Sequence, residues 1–258
     1  MKHILSSFAL AALVTFTASA QDWAKARMEK SPRHLEWIKI KSGEREVSSF
    51  IAFPEVKEKA TAVIVIHEIF GLTDWVRGVT DQLAEAGYIA IAPDFLTGTP
   101  GASGGDAART AIRSLSAEQI TADLEAAVKY AASLPACNGK VVVAGFCWGG
   151  KQAFEFATKN KDIKASFVFY GDAASDSSMK SITCPVYGFY GENDARITAA
   201  VPKVTESMKA AEKKFEPVTY DGAGHGFMRA GEAPDASEAN KKAREEAWKR
   251  WKEILGKI

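Results

Sequence analysis

The residues best placed to do chemistry are Gly145-Phe146-Cys147-Trp148-Gly149, directly after the apolar run Lys140-Val141-Val142-Val143-Ala144. Gly150 to Ala157 then reads as the start of a helix. A strand, a sharp turn and a helix, with glycine two residues either side of a nucleophile, is the nucleophile-elbow pattern Gly-x-Ser-x-Gly with Cys in place of Ser. The glycines are there for steric reasons: strand and helix backbones approach too closely for a Cβ. The same geometry lifts the side chain above the sheet at a helix N-terminus. Backbone N–H groups and the macrodipole there favour a thiolate or an oxyanion. The chemistry on offer is therefore nucleophilic attack by sulfur. The competing reading of Cys147 is a small buried hydrophobe in a Gly-rich turn.

A nucleophilic thiol benefits from a base, and the base from an acid that orients it. The chain has four histidines. His3 lies in the leader, His34 in an N-terminal strand region, and His67 ends the strand before Glu68. His225 lies in the Gly-rich stretch Asp221 to Arg229, directly after the last expected strand. Glycine on both sides lets that loop turn tightly and set the imidazole over the sheet edge, so His225 is the expected base. Asp194, in Gly191-Glu192-Asn193-Asp194, is the expected acid, with Asp172 as its competitor. The expected oxyanion donors are the backbone N–H of Trp148 and that of Ile69, in the loop His67 to Gly71 after an earlier strand. Glu68 in that loop comes within reach of the thiol and could hold it protonated until substrate arrives.

The elements that must position these residues follow from periodicity. Leu35 to Lys41 and Glu46 to Phe53 alternate about Ser42-Gly43, which predicts an N-terminal β-hairpin. Continuous apolar runs at Ala62–Ile66 and Tyr88–Ala92 fit strands buried on both faces. Helical spacing over Asp74–Ala86 stops at Gly87, and a second helix is expected over Ala117–Leu134 with Ser116 as N-cap. Residues 97–106, rich in Gly, Thr, Ser and Ala, are expected to be a loop. Further strands are expected over Ile163–Tyr170, Pro185–Tyr190 and Phe215–Tyr220, and helices over Ala199–Glu212 and Ala236–Leu255. Alternation of strand and helix predicts the α/β class: a mostly parallel sheet flanked by helices on both faces. The candidate residues all fall just past strand carboxyl ends, where such sheets place their sites.

At 258 residues, 47% apolar and 25% charged, the chain suits one large globular domain. Its net charge is +1 with no dense basic block, so nucleic-acid binding has no electrostatic support. Met1-Lys2-His3, the apolar Ile4–Phe16 and Ala18-Ser19-Ala20 have the three-part form of a signal peptide, with cleavage expected after Ala20. The expected organisation is thus residues 1–20 as signal and 21–258 as one domain, periplasmic or secreted and off the membrane once cleaved. The apolar run is short for a membrane span. Cys137, Cys147 and Cys184 are an odd number, so at least one stays free. Cys137 and Cys184 could pair or remain thiols. The sequence carries no indication of oligomeric state.

Four stretches together, His67-Glu68-Ile69-Phe70-Gly71, Gly145 to Gly150, Gly191 to Asp194 and Gly224 to Arg229, resemble the dienelactone hydrolase family. The resemblance runs from about residue 45 to the C-terminus and implies an α/β-hydrolase fold, whose triad order is nucleophile, acid, histidine. It implies a Cys147–His225–Asp194 triad with Glu68 as regulator. It also implies hydrolysis of an enol-lactone or similar activated ester through a thioacyl-enzyme, with no metal or cofactor and a small-molecule substrate. Characterised members hold a substrate carboxylate with two arginines, of which Arg229 matches one; Leu96 and Gly98 stand where the accompanying tyrosine and the other arginine would be. Arg109 or Arg113 could reach in from the next helix. That departure and the leader argue for a physiological substrate other than dienelactone. The second function class is a binding or thiol-redox protein on the same scaffold, which the odd cysteine count motivates. The absence of a C-x-x-C pair weighs against redox exchange.

Overall fold

The computed structural model describes residues 21–102 and 105–258; the expected signal peptide lies outside them. Among the described residues, eight strands form one sheet in the order β1-β2-β4-β3-β5-β6-β7-β8, with these ranges: β1 Leu35–Ser42, β2 Arg45–Ala52, β3 Ala60–Ile66, β4 Ile89–Pro93, β5 Cys137–Phe146, β6 Ser166–Phe169, β7 Val186–Gly191 and β8 Phe215–Tyr220. The β1–β2 hairpin is antiparallel, with Ser42 opposite Arg45, and β2 joins β4 antiparallel. All pairings from β4 to β8 are parallel. This is the α/β architecture that the alternation predicts. The order reverses at β3, which has β4 on one side and β5 on the other. The crevice beyond the carboxyl ends of β3 and β5 is thus the topological switch point, where open α/β sheets bind ligands.

The two-sided burial of the central strands explains their continuous apolar runs. Ala62, Ile64 and Ile66 of β3 face one core. It is closed by α4 (Ala117–Ser133), α5 (Trp148–Lys159) and Met208 of α8 (Val201–Ala210). Val63 and Val65 face the other, closed by α1 (Asp22–Glu29), α2 (Asp74–Glu85) and α10 (Glu238–Leu255). Helix α10 contributes Ala243, Ala247, Trp248, Trp251 and Leu255, the one-face spacing of an amphipathic helix. Ser116 Oγ accepts from Gln119 N–H at 3.1 Å and caps α4 as expected. Helix α2 ends in a Schellman motif: Gly87 at φ +95° lets Tyr88 N–H reach the Leu83 carbonyl and Gly87 N–H the Ala84 carbonyl.

Three boundaries depart from the sequence expectation. Helix α3 (Gly105–Ser114) begins inside the expected loop 97–106, its Ala108 and Ile112 buried against Leu96. The strand expected over Ile163–Tyr170 is only Ser166–Phe169, because Tyr170 turns to φ +41° and leaves the β region. The helix expected over Ala199–Glu212 is α8, preceded by a separate turn α7 (Ala195–Thr198) that starts at Asp194; Pro202 suits the first turn of α8. Two short helices, α6 (Asp176–Met179) and α9 (Phe227–Ala230), were not expected from periodicity.

Candidate active site

The elbow is built as its glycines require. Cys147 sits between β5 and α5 at φ +56°, ψ −115°, a region costly for any non-glycine residue. A Cβ on Gly145 would fall inside the Gly149 carbonyl, and one on Gly149 would fall inside the Ile66 carbonyl at the end of β3. Cys147 N–H donates to the Phe169 carbonyl at 3.0 Å, tying the elbow to β6. Gly145→Ala is accordingly expected to cost more than about 4 kcal/mol. A large fall in the denaturation midpoint, or failure to accumulate as folded protein, would be observed; a near-native midpoint would contradict the close approach.

The three expected triad residues come together. His225 Nε2 lies 3.1 Å from Cys147 Sγ, and His225 Nδ1 lies 2.6 Å from Asp194 Oδ2. The loops that carry the acid and the base are stitched to each other. Glu192 N–H donates to the Tyr220 carbonyl, Asn193 N–H to the Ala223 carbonyl and Asn193 Nδ2 to the Gly222 carbonyl; Gly222 N–H returns a bond to Glu192 Oε2. Gly191 has no Cβ because one would lie 2.6 Å from the Ala223 carbonyl. Gly224 N–H donates to Asn240 Oδ1 of α10, and the Tyr170 ring meets His225 edge-on at 5.2 Å. Asp172, the competing acid, instead pairs with Arg196 at 3.1 Å in the open.

His225 is pushed up to about 9 from its ordinary 6.5, first by its hydrogen bond with Cys147 and, against the cost of burial, also by Asp194. A histidine raised on folding stabilises the fold fully below pH 6.5, and that contribution fades until it is gone above about pH 9. The thermal midpoint should therefore fall between pH 6.5 and 9.5, and His225→Gln should flatten that dependence. Identical profiles for both proteins would contradict the raised pKa.

Glu68 and Arg229 are also at the site, and they pair with each other. Glu68 is 2% exposed and its Oε2 accepts from Arg229 Nε at 2.7 Å. The carboxylate thus engages Arg229, while the thiol bonds to His225. Burial works against the Arg229 charge, but the adjacent Glu68 outweighs it and the guanidinium is held above its usual range. The Phe70 ring lies 5.4 Å from the Arg229 guanidinium and 4.9 Å from that of Arg109, from α3. Leu96 is buried beside α3, with Ile69 and Trp148 packed against the same small cluster. An apolar cluster thus packs against Trp148, the residue that follows the thiol. Trp148 is the first residue of α5, so its N–H lacks an intrahelical acceptor, and Ile69 lies in the loop that follows β3.

Tyr170 is a site residue that periodicity did not single out. It is fully buried at φ +41°, and its hydroxyl has no hydrogen-bond partner among the described residues. Burial, with the nearby Glu68 carboxylate, holds its phenol well above the ordinary range. No sequence pattern signals a left-handed tyrosine. Cys137 and Cys184 are free buried thiols, and burial raises Cys184 to about 11.

The dienelactone hydrolase family model matches residues 47–258. A Salmonella typhimurium protein provisionally named carboxymethylenebutenolidase is 32% identical over 225 residues, covering 80% of each chain. A protein of the same provisional name from Methylorubrum extorquens is 30% identical over 211 residues, covering 74% of this chain and 71% of its own. Among solved structures, a provisionally named dienelactone hydrolase from Klebsiella pneumoniae aligns with a TM-score of 0.79 at 25% identity, over 88% of this chain and 99% of its own.

Proposed function

This chain belongs to the dienelactone hydrolase family, and from that premise we propose that it hydrolyses an ester or lactone with Cys147 as nucleophile, His225 as acid–base and Asp194 as the orienting acid. The observation that carries the reading is the unbroken chain of contacts, Sγ to Nε2 at 3.1 Å and Nδ1 to Oδ2 at 2.6 Å, on a strained elbow at the switch point.

The steps follow from the positions of these atoms. The sulfur, its proton held by His225, attacks the acyl carbon. The carbonyl oxygen becomes an oxyanion that accepts from the N–H groups of Trp148 and Ile69, each worth about 3 kcal/mol at the transition state. Collapse breaks the acyl–oxygen bond, and the leaving oxygen takes the proton from His225 Nε2; in a lactone it stays tethered as the ring opens. His225 then draws a proton from water, whose oxygen attacks the thioester. The acid departs and the thiol regains its proton. Asp194 keeps the Nδ1 proton in place throughout, so that Nε2 is the nitrogen that exchanges.

Glu68, paired with Arg229, leaves the sulfur to the histidine. Arg229 and Arg109 beside Phe70 are the cations that an acidic ester would meet. The apolar cluster of Ile69, Leu96 and Trp148 beside the elbow would suit a substrate whose remaining surface is hydrocarbon.

The test is turnover of p-nitrophenyl acetate and an enol-lactone by purified protein, with and without iodoacetamide, mapping the alkylated cysteine by mass spectrometry. Turnover lost in step with labelling of Cys147 is expected. Turnover indifferent to that label would reject the thiol mechanism, and tight ligand binding with no turnover would favour a binding protein.

A further inference from the structure

Resting on the oxyanion site just described, we propose that His67 is a positioning residue that holds the Ile69 N–H in place as an oxyanion donor. His67 is fully buried, and its Nδ1 lies 2.8 Å from the Glu68 carbonyl oxygen. A carbonyl only accepts, so Nδ1 carries the proton and Nε2 does not. Burial lowers the pKa of this imidazole and so favours its neutral form, while the carbonyl fixes the tautomer. The acceptor belongs to the same peptide unit as the Ile69 N–H. That unit is planar and trans, so fixing its C=O on the His67 ring aims the N–H the opposite way. A second bond, Gly71 N–H to the same carbonyl at 3.2 Å, completes the clamp. Gly71 sits at φ +79°, and a Cβ there would crowd Leu96.

His67 is itself held by the other half of the oxyanion site. Its ring stacks on the Trp148 indole at 5.4 Å and 19°, with Phe95 edge-on at 5.3 Å. Trp148 supplies the first donor from α5, and the backbone of α5 meets β3 where Gly149 abuts the Ile66 and His67 carbonyls. One neutral imidazole therefore sets the spacing between a donor on α5 and a donor on the loop after β3. Two donors stabilise an oxyanion fully only when both point at where its charge develops, so small changes in that spacing matter.

Two variants separate the hydrogen bond from the packing. His67→Phe keeps a flat ring against Trp148 and loses the donor; His67→Asn loses the ring and offers a side-chain N–H near the position of Nδ1. Expected for His67→Phe is a fall in kcat of about 10- to 100-fold, part of what loss of a whole donor costs. Its KM and its rate of Cys147 alkylation by iodoacetamide should be within twofold of the wild type, since sulfur and His225 are untouched. His67→Asn should recover most of the lost kcat. A His67→Phe kcat within twofold of wild type would overturn the proposal. So would an Asn variant that is no better than Phe, which would assign His67 to packing alone. Failure of the underlying hydrolase reading looks different: the wild type itself would show no Cys147-dependent turnover.

Discussion

Cys147→Ala is expected to lower kcat/KM for an activated ester by about four orders of magnitude or more while the protein stays folded. Removing the sulfur leaves water as the only nucleophile. What survives is the smaller rate enhancement from binding and the oxyanion donors. The fold should tolerate the change. Cys147 is half-buried, its backbone is anchored by its own N–H to the Phe169 carbonyl, and alanine bears the same φ +56° at no greater cost than cysteine does. Unchanged circular dichroism is the control. A second readout ties the loss to the thiol–imidazole pair. The Cys147 hydrogen bond is the largest cause of the raised His225 pKa, so in Cys147→Ala the imidazole titration, followed by NMR, should move down from about 9. Cys147→Ser should also be poor, because an alcohol at that site is far harder to ionise than a thiol. Wild-type turnover in Cys147→Ala would end the nucleophile assignment, and neither remaining thiol could easily replace it. Cys137 and Cys184 are buried in the core away from the elbow, packed with the helices of one sheet face.

The parts of this arrangement that were legible in the sequence are those written in short spacings. The elbow needs glycine two residues either side of Cys147, and the clashes at Gly145 and Gly149 show why no other residue serves. The buried strands β3 and β4 announce themselves because both faces are covered, so apolar residues run on without alternation. His225 is marked by the glycines that let its loop turn, and Ser116 by its position before an apolar-periodic helix. What was not legible depends on pairs distant in sequence. Glu68 and Arg229 are 161 residues apart, so no local spacing announces the ion pair that joins them. The end of β6 is set by the left-handed turn at Tyr170, and the next residue, Gly171, passes close beside Gly150 at the start of α5. The start of helix α3 is hidden because Gly105 looks like loop; burial of Ala108 and Ile112 holds the helix in place. His67 read as the end of a strand, since a tautomer fixed by a neighbouring carbonyl leaves no trace in residue order.

Asp194→Asn is expected to lower kcat by about 10³- to 10⁴-fold, whereas Asp172→Asn should leave it within about twofold. Both aspartates follow neighbouring parallel strands and both lie between the thiol and the histidine in the chain, so order alone admits either. Their surroundings do not. Asp194 is 7% exposed with Oδ2 at 2.6 Å from His225 Nδ1, while Asp172 is half exposed and spends its carboxylate on Arg196. An asparagine at 194 would offer Nδ1 an amide N–H as readily as an oxygen. With the N–H turned inward, the histidine must accept at Nδ1 and carry its proton on Nε2, and it can then no longer take a proton from the sulfur or from water. The loss is thus one of tautomer, with shape retained, so KM should change little while kcat falls. The imidazole should also titrate lower, because Asp194 is one of the groups that raise it. Retained activity in Asp194→Asn together with a loss in Asp172→Asn would transfer the role of the acid from β7 to β6. The stitching between the Asp194 and His225 loops would then be structural alone.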